Sequence, residues 1–283
     1  MTIVAFGPSA PELAVSTSAA LQGANEIALS NVVGSNIFNL LCVLGICSVI
    51  HPVPVDAGVR KRDFPFSIIT TIFIFIMAGA SAIFSKELMQ SDMAQQAGDV
   101  SRMEGIVIMA LFIGYTAYLI IDAKKHPEEE ETYHVLPIWK CLLFICVGLA
   151  LIIGGGQAVV YSAKEIARVA GMSETLIGLT VVAVGTSLPE LVTSVVAARK
   201  GEVGLAVGNV IGSNIFNLLF ILGLSAVIHP VSVNLASVID LGVLIAISLL
   251  TYLFSLTSGK LKRGEGIAMI LFYIIYVVFA AVR

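Results

Sequence analysis

The sequence predicts an all-α polytopic membrane protein made of two related halves that enter the bilayer in opposite directions. Two observations carry this. First, 58% of the 283 residues are hydrophobic and only 12% are charged, a balance no ordinary soluble domain has. Apolar runs of about 20 residues, each long enough to cross a bilayer, recur along the chain. Second, one block occurs twice. Gly7-Pro8-Ser9-Ala10-Pro11-Glu12 and Ser30-Asn31-Val32-Val33-Gly34-Ser35-Asn36-Ile37-Phe38-Asn39 return as Gly185-Thr186-Ser187-Leu188-Pro189-Glu190 and Gly208-Asn209-Val210-Ile211-Gly212-Ser213-Asn214-Ile215-Phe216-Asn217. The offset, 190 − 12 = 178, also carries Ile50-His51-Pro52-Val53 onto Ile228-His229-Pro230-Val231.

In chain order, the first half is 1–122. Its spans are 1–22 (interrupted at Pro8 to Pro11), 26–50, 64–84 and 104–122, with loops at 51–63 and 85–102. A short charged linker, 123–135, follows and carries Glu128-Glu129-Glu130-Glu131. Such a run is a solvated segment, and a dozen or so residues cannot form a domain. The second half, 136–283, has spans 136–161, 174–199, 202–228, 236–257 and 264–282, with a short amphipathic surface helix expected at 164–171. Asp63 matches Asp240, and Glu104-Gly105-Ile106 matches Glu265-Gly266-Ile267, so the repeat extends beyond the duplicated block. The second half is therefore a five-span unit, and the first half is the same unit without its first span. Met1 aligns with Leu179, inside a membrane helix, which is physically poor. One more span, held by about 40 residues, is expected upstream, for ten helices in all. Nothing at the amino terminus reads as a signal peptide.

Counting Lys and Arg in alternate loops places 11 of the 16 on one side, among them Arg60, Lys61, Arg62, Lys124 and Lys125. That side is cytoplasmic by the positive-inside rule, which puts the 123–135 linker in the cytoplasm and the carboxyl terminus outside. A unit with an odd number of spans inserts its two copies oppositely. This is the inverted-repeat design of secondary transporters, with sites near the midplane at discontinuous helices.

Glu12 and Glu190 are the only acidic residues well inside the spans. Each costs about 2.5–3.5 kcal/mol at a helix centre and needs a partner. No Lys or Arg lies at similar depth, and a cation fits that gap, which makes the pair the expected metal ligands. Pro11 and Pro189 precede them, and a proline inside a helix removes a backbone hydrogen bond. This leaves carbonyls near Ala5–Pro8 and Ala183–Thr186 free to face an ion. Ser9, Ser187 and Thr186 add hydroxyl oxygens. Asn31 and Asn209 add amide oxygens, completing an all-oxygen shell suited to a hard cation such as Ca²⁺ or Na⁺. Ser35 and Ser213, beside Gly34 and Gly212, read equally as small packing residues. Asn36, Asn214, Asn39 and Asn217 read as supporting residues that cap or crosslink helices. His51 and His229 mark loop ends. Cys42, Cys47, Cys141 and Cys146 lie in apolar runs at i, i+5 spacing, as small packing residues rather than a disulfide framework.

Other function classes lack their residues. There is no basic patch for nucleic acid. There is no HExxH, no GxSxG and no intramembrane histidine for a membrane enzyme, and no resident cofactor is expected.

The two blocks resemble the α-repeats of the cation/Ca²⁺ exchanger superfamily, especially prokaryotic sodium/calcium exchangers. The resemblance covers essentially the whole chain, and the doubled G-T-S-x-P-E and G-N-x-x-G-S-N-I-x-N pattern is highly specific. It implies a ten-helix fold of two inverted five-helix halves, with nine helices present here. It implies an integral protein of the cell membrane that exchanges Ca²⁺ for Na⁺ by alternating access and works as a single chain in the lipid bilayer. By resemblance, Glu12 and Glu190 are the key acidic ligands, supported by Ser9, Thr186, Ser187, Asn31, Asn209 and the carbonyls of Ala5 and Ala183, and the first helix of each repeat slides as the gate. Pro8 stands where the motif, and this chain's own Thr186, has threonine. Two carboxylates balance one Ca²⁺ or two Na⁺. K⁺-dependent or H⁺-coupled Ca²⁺ exchange, and a truncated, non-transporting form, remain open alternatives on the sequence.

Overall fold

The computed structural model describes residues 7–23, 26–84, 96–125, 137–169 and 183–282. The architecture is all-α and internally duplicated, as the sequence predicts. In the first half, α1 is Ala10–Leu21. The next span is α2 (Glu26–Phe38), a π-helical turn Asn39–Val43, and α3 (Leu44–Ile50). It is followed by α4 (Phe64–Phe84) and α5 (Arg102–Lys125). In the second half α6 is Ile138–Val169, and α7 (Ala183–Thr186) is broken from α8 (Leu188–Arg199). Then come α9 (Val203–Phe216), a second π-helical turn Asn217–Ile221, α10 (Leu222–Ile228), α11 (Leu235–Ser258) and α12 (Arg263–Val282). Among the described residues six helices are long and apolar enough to cross a membrane. The helices α5, α6 and α12 turn apolar side chains such as Ile113, Phe144 and Ile275 outward, as lipid-facing helices do.

Two expectations change. The helix expected to end near Tyr161, with a separate surface helix at 164–171, is one continuous element, Ile138–Val169. No proline or cap interrupts the run. Its glycines Gly154-Gly155-Gly156 cost only about 1 kcal/mol each relative to alanine. The loops expected at 51–63 and 85–102 also hold regular structure. A third π-helical turn, Val59–Asp63, leads into α4, and short strands form on both sides of the bundle.

Those strands join the halves. Strand β1 (Val53–Pro54) pairs antiparallel with β4 (Lys260–Leu261), as Val53↔Leu261 and Pro54↔Lys260. Strand β2 (Gln96–Val100) pairs antiparallel with β3 (Val231–Asn234), as Gly98↔Val233 and Val100↔Val231. The segment after the π-containing span of each half thus pairs with the segment before the last helix of the other half.

The helix packing follows the same rule. α10 packs on α5 and α3 packs on α12. Each crossing is set by a duplicated glycine. A Cβ on Gly266 would sit 2.7 Å from the Gly45 carbonyl oxygen and 2.9 Å from Ser48 Cβ. One on Gly105 would sit 2.9 Å from the Gly223 carbonyl oxygen and 2.9 Å from Ala226 Cβ. The residue before each glycine caps its helix. Glu104 Oε2 accepts from the Ser101 N–H at 2.7 Å and the Ser101 hydroxyl at 2.8 Å, a capping box. Glu265 Oε2 accepts from the Lys262 N–H at 2.7 Å. The repeated Glu-Gly pair therefore starts the helix and lets it cross its neighbour closely.

Near one end of α4 and α5, Arg62 bridges Asp63 and Asp122, and the Tyr115 hydroxyl donates to Asp63 Oδ1 at 2.9 Å. His51 and His229 are exposed and extended at the carboxyl ends of α3 and α10, where the sequence puts loop ends. Cys42, Cys47, Cys141 and Cys146 are all free thiols.

The glycine crossings give a stability test. Gly266→Ala forces a methyl group against backbone, and overpacking of this kind costs about 1–3 kcal/mol. The purified variant should unfold several degrees below the parent in a thermal scan in detergent. Gly114→Ala on α5, where the added Cβ meets nothing within 4 Å, should not lower the transition and should raise it slightly, because alanine favours a helix over glycine.

Candidate cation site

The chemistry gathers where α1 and α8 begin. Pro11 and Pro189 occupy the first turns of their helices, with Ser9 and Ser187 at the N-cap positions. The sequence suggests a proline inside a helix. In the structure α7 stops at Thr186 and α8 starts at Leu188, and in the first half α1 starts at Ala10 after a turn at 7–9, which suits proline, since a first-turn residue has no intrahelical N–H bond to lose. The Gly7 carbonyl, deprived of a donor at Pro11, instead accepts from the Ala10 N–H at 3.2 Å. These starts place Glu12 and Glu190 in the first turn, at the positive end of a helix dipole, which favours a carboxylate there.

Both glutamates are fully buried, and each is held by the other half. The Ser187 hydroxyl donates to Glu12 Oε1 at 2.8 Å, and the Ser9 hydroxyl donates to Glu190 Oε1 at 2.7 Å. Ser35 makes a longer contact to Glu12 Oε1, at 3.4 Å. The second oxygen of each carboxylate, Glu12 Oε2 and Glu190 Oε2, is buried without a hydrogen-bond partner. Neither glutamate has an ion-pair partner among the described residues. Leaving buried carboxylate oxygens unpaired is costly, so the arrangement asks for positive charge between the halves.

The remaining candidates fall into three groups. Pro8 and Thr186 are buried just ahead of the two helix starts, beside Ser9 and Ser187, and Ala183 opens α7. Ala5 lies outside the described residues. Asn31 and Asn209 clasp the helix hairpin of their own half. Asn31 Nδ2 donates to the Glu12 carbonyl at 3.3 Å and to Ser16 Oγ at 2.9 Å. Asn209 Nδ2 donates to Ser194 Oγ at 3.0 Å and Thr193 Oγ1 at 3.3 Å. Their amide nitrogens are committed to structure, while Asn209 Oδ1 is buried without a partner.

The third group forms a four-asparagine cluster between α2 and α9. Asn36 Nδ2 donates to the Asn214 carbonyl at 3.2 Å, and Asn214 Nδ2 returns to the Asn36 carbonyl at 3.3 Å. Asn39 Nδ2 donates to Asn214 Oδ1 at 3.2 Å, and Asn217 Nδ2 donates to Asn36 Oδ1 at 3.0 Å. The pattern is reciprocal about the axis relating the halves. It crosslinks the helices, one of the two roles read from the sequence.

Sequence reasoning missed one property of this cluster. Asn39 Oδ1 and Asn217 Oδ1 are buried without partners, as is Ser213 Oγ. Asn39 lies one helical turn beyond Ser35, and Asn217 one turn beyond Ser213, so each shares a helix face with the serine. Both asparagines open π-helical turns, which occur often at functional sites. The signal was the i, i+4 Ser–Asn pair, repeated at the 178-residue offset. No group of three or more His, Cys, Asp or Glu is gathered among the described residues. The donors are two carboxylates with neutral oxygens, a set for hard cations.

Comparison with known proteins agrees. The family described as sodium/calcium exchanger protein matches residues 1–121 and 140–282. The sodium/calcium exchanger MaX1 of Methanosarcina acetivorans is 32% identical, over 98% of this chain and 87% of its own. The inner membrane protein YrbG of Escherichia coli is 33% identical, over 96% of this chain and 81% of its own. A solved structure of the sodium-calcium exchanger NCX_Mj, soaked with Na⁺ and without Ca²⁺, superposes with a TM-score of 0.79 at 30% identity, covering 98% of this chain and 84% of that one.

The asparagine cluster predicts a large response to one deletion. Asn214→Ala removes the acceptor of Asn39 Nδ2 and the side-chain donor to the Asn36 main-chain carbonyl, and a buried group left unpaired costs about 1–3 kcal/mol. Thermal unfolding in detergent should show a marked loss of stability, larger than for Ser30→Ala at an exposed position of α2.

Proposed function

The chain belongs to the sodium/calcium exchanger protein family, and on that premise we propose that it is a secondary active antiporter that exchanges Ca²⁺ for Na⁺ across the membrane by alternating access. The observation that carries the reading is the pair of buried glutamates, each held by a serine of the opposite half and each with a free oxygen. Two carboxylates with no cationic side chain balance one divalent or two monovalent cations. The same pocket then serves both ions in turn, because occupation by one excludes the other.

In this reading Glu12 and Glu190 are the metal ligands. Ser9, Ser187 and Thr186 rotate their hydroxyls to present lone pairs, with the carbonyls of Ala5 and Ala183 beside them. The orphaned oxygens of Asn39, Asn217 and Ser213 join the shell, as does Asn209 Oδ1, with Asn31 as its counterpart. Such a set reaches the six to eight oxygens that Ca²⁺ takes. Most of the described side chains of the long helix α6 are exposed, and it touches α7 and α8. A peripheral helix so placed can slide along the bundle without disturbing the glycine crossings. We assign the protein to the cell membrane, working as a single chain, with the 123–135 linker cytoplasmic and the carboxyl terminus external.

Reconstituted into proteoliposomes, the chain should take up Ca²⁺ when an outward Na⁺ gradient is imposed, and more weakly with K⁺ or H⁺ gradients alone. Glu12→Gln and Glu190→Gln should each lower uptake at least about tenfold, since each removes one of two charges facing the ion. Uptake untouched by both substitutions would end the assignment of the site.

A further inference from the structure

The two six-residue blocks that lead into α1 and α8 differ at two positions, Ala10 against Leu188 and Pro8 against Thr186, and only the second exchanges a hydroxyl for a ring. Thr186 precedes Ser187 in one block, and Pro8 precedes Ser9 in the other. Pro8 and Thr186 are both buried, and the serines after them make equivalent hydrogen bonds to the opposite glutamate, 2.7 Å from Ser9 to Glu190 and 2.8 Å from Ser187 to Glu12. The backbone frame is therefore matched as well: Ser9 has φ −79° and ψ 9°, Ser187 has φ −92° and ψ 9°. Within this matched frame the first half has three ring methylenes where the second has a hydroxyl.

We infer that Pro8 is a specificity-determining residue that weakens monovalent-cation binding in the first-half subsite while leaving Ca²⁺ binding largely intact. The inference rests on the reading of this site as a Na⁺/Ca²⁺ site. Ca²⁺ draws its binding energy from both carboxylates at once, and its attraction to each is twice that of a monovalent ion. One neutral oxygen is a small part of that sum. Two Na⁺ ions must divide the carboxylates between them, so each depends more on the neutral oxygens of its own half. Thr186 offers such an oxygen, and Pro8 offers only a carbonyl. The site is thus balanced toward Ca²⁺, and Na⁺ must reach a higher concentration to displace it.

The test measures equilibrium binding of radioactive Ca²⁺ to the purified chain and its displacement by Na⁺. Pro8→Thr restores the hydroxyl, and Pro8→Ala removes the ring without adding one. Pro8→Thr should lower the half-displacing Na⁺ concentration about fivefold, the scale of one neutral ligand, and steepen the displacement curve. Pro8→Ala should behave as the parent. Ca²⁺ affinity without Na⁺ should stay within about twofold in all three, because the carboxylates are unchanged. Thr186→Val, which keeps shape and removes the second hydroxyl, should raise the Na⁺ requirement further and provides the readout if Pro8→Thr does not fold. If the parent binds no Ca²⁺, the functional reading falls and this inference with it. If Na⁺ displaces Ca²⁺ alike from the parent, Pro8→Thr and Thr186→Val, the functional reading stands and the role of Pro8 is overturned.

Discussion

Two carboxylates buried face to face, each gripped by a serine of the opposite half, are the constraint to which the rest of the structure answers. Burying one such group without compensation is unfavourable, and burying two compounds the cost through their repulsion. The fold lowers that cost locally. It starts a helix just before each glutamate, so that both sit in a first turn, where the dipole favours them. It spends one oxygen of each carboxylate on a charge-assisted hydrogen bond, about twice as strong as a neutral one. The other oxygen stays unspent, which is what makes the pair available to an ion rather than merely tolerable to the protein.

Crossed hydrogen bonds of this kind work only if the halves are held in fixed register. The asparagine cluster supplies it from the middle. Two of its bonds run from side chain to backbone and two from side chain to side chain, in reciprocal pairs between α2 and α9. Satisfied networks in a low-dielectric interior rigidify the elements they join. The glycine crossings act further out, where backbones approach too closely for any side chain, as small residues allow in membranes.

Much of this was legible in the residues. Hydropathy located the spans because a bilayer admits only internally bonded backbone. The doubled block exposed the symmetry, and the two intramembrane glutamates marked the candidate site. What stayed hidden has physical reasons. The π-helical turns insert one residue into a helix without changing its composition, so Asn39 and Asn217 read as ordinary helix asparagines. Asn31 and Asn209 were read for their amide oxygens; the nitrogens are committed to Ser16 and to Thr193 and Ser194, partners too distant in sequence for local pattern to reveal. The proline positions were legible, but not that a new helix starts from Ser9 and from Ser187 as N-caps. The strands between spans are two to five residues long. Their partners lie in the opposite half, beyond the reach of any local propensity.

Those reciprocal strands bear on how such a molecule could have arisen. Among the described residues each strand of one half pairs with a strand of the other, and the glycine crossings and glutamate clasps also join the two halves. A single half alone in a bilayer would carry open backbone edges, stranded amides and a naked carboxylate. Its only remedy would be a second copy of itself inserted upside down. The duplicated gene therefore descends most simply from a small protein that entered the membrane both ways and paired with its own mirror orientation. Fusion then made that stoichiometry permanent and let the two copies differ, as they do at Pro8 and Thr186.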